Sequence, residues 1–357
     1  MVKRLNIGIT GFGCYIPRFR IRTEDIAVAN NQNVDLIKTA LLINEKTVPN
    51  KDEDSISIGI EACKNALLRA SIQPSRIKAI YMGSESHPYA VKASSAVIGG
   101  VLGIGGEEGN FTAADTEFAC KAGTAALQMI AGQVEAEMID YGLAIGADTS
   151  QGAPGDALEY SAAAGGAAFI IGKNKKGKEE SAANILYTLS KTIDTPDFWR
   201  RNNEKYPTHM GRFTGEEAYF KHITSTTQTM LDETGLKIYD FDHVILHQPN
   251  GKFPLKAAKM LGITKEQLKF GIVVHEIGNT YSGSSLLGLV NVLENALPGQ
   301  RILLTSYGSG SGSDCFVIET TDLITEKQRI GKKLLNYLQN KQYVNYNQYR
   351  QMVKMIH

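Results

Sequence analysis

Across 357 residues, 38 lysines and arginines are balanced by 37 aspartates and glutamates, so no overall field draws the chain onto nucleic acid or an acidic membrane, and charge-based recognition must be local. The length allows a substantial core, as two ordinary domains or one large domain of two similar halves. No apolar run approaches the ~18 residues needed to span a bilayer, and Cys14, Cys63, Cys120 and Cys315 are far apart with no CxxC pair, which fits a reducing cytoplasm.

The N-terminal "MVKRLNIGITGFG" enters a strand-like run directly, without a signal-peptide pattern. A helical segment "SISIGIEACKNALLRASI" leads to a strand "IKAIYMG", the polar "SESHP", a small-residue helix ending "VLGI", and another strand. The helix "FACKAGTAALQMIAGQV" and the strand "YGLAIGADTS" follow. The charged "GKNKKGKEES" then gives way to "TIDTPDFWRRNNEKYPTHMGRFTGEEAYF", an aperiodic insertion carrying the only Trp, read as covering a site. Beyond it the order repeats: "TSTTQTMLDETGL", "FDHVILH", "QPNGKFPLKAAKMLGI", a strand "KFGIVVH", "GNTYSGSSLLGLVNVLENAL" and "QRILLTSYGSGSG".

A constant offset ties the halves together. Leu102-Gly103-Ile104 and Leu261-Gly262-Ile263 lie 159 positions apart (261 minus 102), as do Cys120 and Asn279 (279 minus 120), and the same shift carries Asp148 onto Tyr307. The reading is two α/β halves related by a pseudo-twofold, residues 1–172 and 219–357, joined by residues 173–218. Alternating strands and helices predict largely parallel sheets covered by helices, with functional groups in loops beyond the strand C-termini. The glycine clusters "VIGGVLGIGGEEGN" and "SYGSGSGSD" match neither GxGxxG nor GxxxxGK[ST], which sets nucleotide-phosphate chemistry aside.

Several loop residues could carry chemistry. Cys120 opens a helix of Ala, Gly and Thr, where the positive end of the macrodipole favours the thiolate; the same sequence also suits a buried packing cysteine. Glu85 follows a strand directly and is either a solvated carboxylate or, if buried, a base able to exchange protons with a carbon acid. His247 ends "HVILH"; no third ligand is spaced for zinc, and "HEIGN" lacks the second His of HExxH, so no metal site is expected. Asn279 marks either a turn or an amide that holds a carbonyl oxygen. The loop around Tyr307 and Ser309 could offer backbone amides to a ligand. Lys252 and Lys256 share a helix face, and with Arg212 could take the phosphates of an acyl carrier.

With these residues assembled, "GFGCYIPRFRI", "MGSESHP", "EFACKAGTAALQ", "YSAAAGGAAFIIG", "MGRFTGEEAYF", "LHQPNGKFPLKAAKMLGI", "GNTYSGSS" and "SYGSGSGSD" make the chain closely resemble the thiolase superfamily, and within it the archaeal type of hydroxymethylglutaryl-CoA synthase. That resemblance implies a layered α-β-α-β-α fold and an acyltransferase with an acetyl-Cys120 intermediate. It implies Glu85 as general acid/base and His247 as the third catalytic group. Ser161, Thr214, Asn279 and Ser309 match acyl-contact positions, and Arg212, Lys252 and Lys256 match CoA positions. It further implies acetyl-CoA and acetoacetyl-CoA as substrates, no cofactor, a homodimer, and a complex with an acetoacetyl-CoA thiolase and a zinc-bearing OB-fold protein. The stretch after Asp148, "TSQGAPGDALEYSAAAGG", is longer than in the bacterial and animal branches and lacks their tyrosine, so contacts there transfer poorly. The C-terminal "YVNYNQYRQMVKMIH" is either part of a partner interface or a terminal helix. The competing readings are an initiation-type ketoacyl synthase, against which Glu85 argues, and a non-catalytic scaffold, against which Cys120, Glu85 and His247 together argue.

Overall fold

Small residues in the helices and β-branched residues in the strands let elements of this chain pack in successive layers. The computed structural model describes residues 2–150, 152–174, 180–211, 213–310 and 312–354. In chain order the first part runs β1 (Ile7–Tyr15), β2 (Phe19–Arg22), α1 (Thr23–Ala29), α2 (Val34–Leu41), β3 (Glu45–Val48), α3 (Ser55–Ala70), β4 (Ile77–Gly83), α4 (Ser94–Leu102), β5 (Thr112–Thr116), α5 (Ala122–Glu135), β6 (Tyr141–Thr149), α6 (Ala157–Ser161) and β7 (Ala164–Lys173). The second runs β8 (Ala183–Thr192), the short strands β9 (Phe198–Trp199) and β10 (Thr208–His209), a π-helical stretch Thr214–Phe220, α7 (Lys221–Thr234), β11 (His243–Leu246), α8 (Lys252–Leu261), α9 (Lys265–Leu268), α10 (Val274–Ile277), α11 (Ser284–Leu293), β12 (Arg301–Thr305) and β13 (Gly312–Thr320). The C-terminal segment adds α12 (Ile324–Lys327), α13 (Leu334–Gln339), β14 (Gln342–Tyr343) and α14 (Tyr346–Lys354).

The main strands form one sheet in the order β11-β12-β13-β8-β1-β7-β6-β4-β5. In the first half β4 lies parallel to β5 and β6, while β7 runs antiparallel to β6 and β1. The second half repeats this: β11 parallel to β12, then β13 antiparallel to β12 and β8. The halves join where β1 meets β8 across only three residue pairs, Ile7–Ile9 with Ala183–Ile185. Helices α5 and α11 share one apolar core with strands of both halves. Helices α3 and α4 cover the outer face of the first half, and α7 and α8 that of the second. The result is helix, half-sheet, helix, half-sheet, helix, the two halves of the one sheet packing on the central helices. Helix α5 must fit closely there, which its small residues permit: a Cβ on Gly123 would fall 2.5 Å from the carbonyl oxygen of Ser282.

One expected element is absent. Residues 269–275, read as a strand, form a turn leading into α10, so the second half has no counterpart of β5. The cause is Gln248, fully buried, whose side-chain oxygen accepts the amides of Val273 and Val274 at 2.7 and 2.9 Å while its nitrogen donates to the Gly271 carbonyl at 2.9 Å. Those backbone groups are therefore not free for a ladder. Strand β8 falls within residues 173–218 and belongs to the sheet, so the segment crossing the site begins after Thr192. The C-terminal helix α14 packs in its own chain, burying Tyr349, Met352 and Val353 against Ile21, Ile26 and Val48 beside the small sheet β14-β2-β3. No helix among the described residues is long and apolar enough to cross a membrane.

Candidate active site

Cys120 stands two residues before α5, 5 % exposed. Ala119 before it adopts a left-handed backbone (φ 47°), a conformation that costs a non-glycine residue roughly 1 kcal/mol. This kink turns the chain from β5 into the helix and sets the thiol at the helix mouth. Gly278, 159 positions later (278 minus 119), has φ 78° and precedes Asn279. The repeat thus extends to the backbone: a residue of positive φ precedes the thiol in one half and the amide in the other. The elbow needs close approach from its neighbours. A Cβ on Gly83 would lie 2.1 Å from the Ala122 carbonyl carbon, and one on Gly308 would lie 2.4 Å from the Phe118 oxygen.

Glu85 follows β4, with its main chain held by Asp148 at the end of β6. One carboxylate oxygen of Asp148 accepts from the Glu85 amide (2.8 Å), Ser84 Oγ (2.8 Å) and Ser86 Oγ (2.6 Å). The other accepts from the amide and hydroxyl of Ser282 at 2.9 and 2.6 Å. Asp148 therefore ties the Glu85 loop of the first half to the Asn279 loop of the second. The Glu85 carboxylate and the Asn279 side-chain amide both bear on the Cys120 thiol, in opposite directions. Burial, then the Asp148 carboxylate, hold the Glu85 pKa well above the usual carboxylate range. Burial, then Glu85, likewise raise the thiol, and only Asn279 opposes them. Lys121, adjacent in sequence, supplies no charge to the sulfur: its ammonium pairs with Asp314 at 2.9 Å beneath the site.

Asn279 is fixed by a bridge to the chain after α6: its amide donates to the Ser161 carbonyl at 2.7 Å, and its carbonyl accepts the Ala163 amide at 2.9 Å. Ala162, between Ser161 and Ala163, packs with Cys120 and Tyr281, and neighbouring Ser161 is 5 % exposed. His247 is 1 % exposed, its main chain held by Thr305 (2.9 Å) and by the Tyr219 hydroxyl (2.5 Å). Burial pulls its pKa down to about 3, so the imidazole is neutral at physiological pH. Among the described residues its Nδ1 has no hydrogen-bond partner. His247 is not hydrogen-bonded to Cys120 or Glu85; its ring lies 6.2 Å from that of Tyr307.

A cavity of about 630 Å³ reaches Glu85, Ala119, Tyr281 and Ser309. Its mouth carries Trp199, Arg200 and Lys205 from the insertion. Buried Asp197 anchors this flap, accepting from the Tyr307 hydroxyl at 2.8 Å and the Gly310 amide at 2.7 Å, while its carbonyl accepts from Thr214 Oγ1 at 3.2 Å. Lys252 and Lys256 are exposed on α8 and do not line the cavity; Lys256 pairs with Glu216 and lies 4.4 Å over the Phe220 ring. Arg212 lies outside the described residues.

Sequence reasoning missed four participants: Asp148 as a clamp, Asp197 as the flap's anchor, and Arg200 and Lys205 at the mouth. Asp148 did carry a signal, an acid ending an otherwise uncharged strand at the third repeat anchor. Nothing local distinguished Arg200 from its basic neighbours.

Residues 231–320 match the family model of the 3-oxoacyl-[acyl-carrier-protein] synthase III C-terminal domain. The chain is 52 % identical over 356 residues to a hydroxymethylglutaryl-CoA synthase of Methanopyrus kandleri, covering 100 % of this chain and 99 % of that one. It is likewise 52 % identical over 349 residues to that of Methanocaldococcus jannaschii, covering 98 % and 99 %. Among solved structures, an HMG-CoA synthase complexed with CoA superposes with a TM-score of 0.87 at 24 % identity, covering 98 % of this chain and 90 % of that one. The 3-oxoacyl-(acyl carrier protein) synthase III of Pseudomonas aeruginosa gives 0.79 at 18 %, covering 88 % and 98 %. Both likenesses bear on the fold, which is thiolase-like, with two related halves in five layers. Full-length identity above one half leads to the conclusion that the chain belongs to the hydroxymethylglutaryl-CoA synthase family of enzymes.

Proposed function

We propose that this enzyme condenses acetyl-CoA with acetoacetyl-CoA and water to give 3-hydroxy-3-methylglutaryl-CoA and CoA, supplying the mevalonate route to isoprenoids. The observation that carries the chemistry is that Glu85 and Ala119 line the cavity, with the buried Cys120 thiol next to Ala119 subject to both Glu85 and Asn279. The Cys120 sulfur attacks the acetyl carbonyl and CoA leaves as the thiol. Glu85 takes a proton from the methyl group of acetyl-Cys120, and the resulting carbon nucleophile bonds to C3 of acetoacetyl-CoA. His247 and Asn279 hold the C3 oxygen, which takes up a proton as the alcohol forms. Water then cleaves the thioester to Cys120, restoring the thiol. A raised Glu85 pKa suits this role, because a stronger conjugate base accepts a proton from a weak carbon acid more readily.

Ser161, Thr214 and Ser309 contact the acyl groups. The CoA phosphates are taken by Arg200 and Lys205 at the mouth together with Arg212, Lys252 and Lys256. No cofactor is required. The enzyme works in the cytoplasm as a homodimer, in a complex with an acetoacetyl-CoA thiolase and a zinc-bearing OB-fold protein. Incubation with acetyl-CoA alone should add an acetyl group to Cys120, seen by mass spectrometry, and added acetoacetyl-CoA should discharge it into product. An unlabelled cysteine would remove the reading. Turnover of malonyl rather than acetoacetyl thioesters would make the enzyme a ketoacyl synthase.

A further inference from the structure

Lys46 on β3 is 1 % exposed and, among the described residues, has no carboxylate within ion-pairing distance. Its ammonium donates to the carbonyl of Ala162 at 2.8 Å and to the hydroxyl of Tyr349 at 3.0 Å, and stands 4.7 Å over the Tyr349 ring. Tyr349 is fully buried on α14. Burial, the largest influence, lowers the Lys46 pKa to about 7; of the charged groups facing it, Glu159 of α6 favours the ammonium and Arg350 of α14 opposes it alongside burial. Glu159 is itself occupied by Asn30 (2.9 Å), the Gly155 amide (2.7 Å) and Tyr346 (3.0 Å). A buried ammonium without a contacting carboxylate is costly, and a hydrophobic side chain of similar size would pack there at less cost.

What Lys46 holds explains its presence. Ala162 is the residue bridged to Asn279, and the two flanking residues, Ser161 and Ala163, make the hydrogen bonds that fix the Asn279 main chain. The stem of Lys46 also abuts the kink before Asn279: a Cβ on Gly278 would meet Lys46 Cβ at 2.9 Å and the Ser161 oxygen at 2.8 Å. Next to it, Thr47 exchanges hydrogen bonds with Ala164, its hydroxyl donating to the carbonyl (2.5 Å) and accepting the amide (2.8 Å). Strand β3 thus grips residues 161–164 from behind, and α14 locks the grip through Tyr349.

We propose that Lys46 is a positioning residue for Asn279, and that the C-terminal helix supports the active site through the Tyr349–Lys46–Ala162 chain. This rests on the reading of Asn279 as a group serving Cys120 and the acyl oxygen in the synthase reaction. Its consequence is measurable on the sulfur without any thioester. The Asn279 amide opposes Glu85 and Asp148, the acids that face the thiol and favour its protonated form.

The experiment is the pH profile of Cys120 alkylation by iodoacetamide, read at its peptide by mass spectrometry in the full-length protein, with thermal melting alongside. Lys46→Met and Asn279→Ala should each move the profile to higher pH, about one unit or tenfold in rate at fixed pH, and the double variant should move it no further than Asn279→Ala alone. Tyr349→Phe, which removes a single hydroxyl, should shift it in the same direction by less. A Lys46→Met profile superimposed on wild type, whatever its melting temperature, overturns the proposal. If Lys46→Met fails to fold, Tyr349→Phe decides: a shift supports the coupling, and superposition overturns it. Acetyl-CoA labelling of wild-type Cys120 tests the synthase reading separately, so the two cannot fail unnoticed together.

Discussion

The carboxylate of Glu85 bears on the thiol of Cys120, so the candidate nucleophile and candidate base act on each other's ionisation before substrate arrives. The carboxylate raises the thiol pKa, and acetylation of the sulfur removes the thiol proton and leaves the carboxylate facing the acetyl group.

Glu85→Ala should therefore separate two steps. Without the carboxylate the thiol ionises at lower pH, so alkylation of Cys120 near neutrality should quicken and its acetylation by acetyl-CoA should persist. Condensation should fall by about 10²-fold or more. Single-turnover measurement of acetyl-Cys120 formation and decay resolves both; equal loss of the two steps would contradict the assignment.

His247 gives a pH-dependent stability with a definite sign. Its folded pKa, about 3, lies below the ordinary value of 6.5, so the native state binds fewer protons than the unfolded one in between. The contribution is complete above about pH 6.5 and declines as pH falls towards 3, by up to about 1.4 kcal/mol per unit. His247→Asn should flatten the fall in melting temperature between pH 6.5 and 4.5 relative to wild type. Parallel curves would show that the imidazole is already solvated in the native state.

Gly83→Ala tests the close approach that shapes the elbow. The added methyl would meet main-chain atoms of Ala122 and Gly123, which cannot rotate away. A destabilisation of about 1–3 kcal/mol is expected, with slower alkylation of Cys120 because α5 must move to make room. Urea unfolding and the alkylation rate together measure this; wild-type values for both would mean that the end of β4 yields instead.

The mouth cations can be ranked. Arg200 and Lys205 line the cavity, whereas Lys256 is engaged with Glu216. Arg200→Ala and Lys205→Ala should each raise KM for the CoA thioesters by about two- to fivefold at low ionic strength, fading with added salt, and Lys256→Ala should raise it less. The reverse order would place the CoA phosphates on α8.

Much of this site could be read from the sequence because a repeat leaves a numerical trace. The shift of 159 paired Cys120 with Asn279 without any structure, and it also pairs the two left-handed residues before them. Glu85, following a strand directly, was identifiable on similar grounds. The unreadable parts depend on long-range side-chain bonds. Gln248 abolishes a strand that hydrophobicity favours, and its partners lie at least 23 residues away. Asp148 clamps loops 63 and 134 residues distant, and Lys46 reaches Tyr349 across 303. Composition and periodicity carry no record of such pairings.

The positive-φ residues Ala119 and Gly278 make reactivity a matter of which tip bears which functional group. The scaffold beneath is duplicated, and the division of labour between nucleophile and amide resides in a single side chain per copy. Moving the sulfur to the opposite tip would therefore require an exchange of two side chains, and would leave Glu85 stranded on the wrong copy.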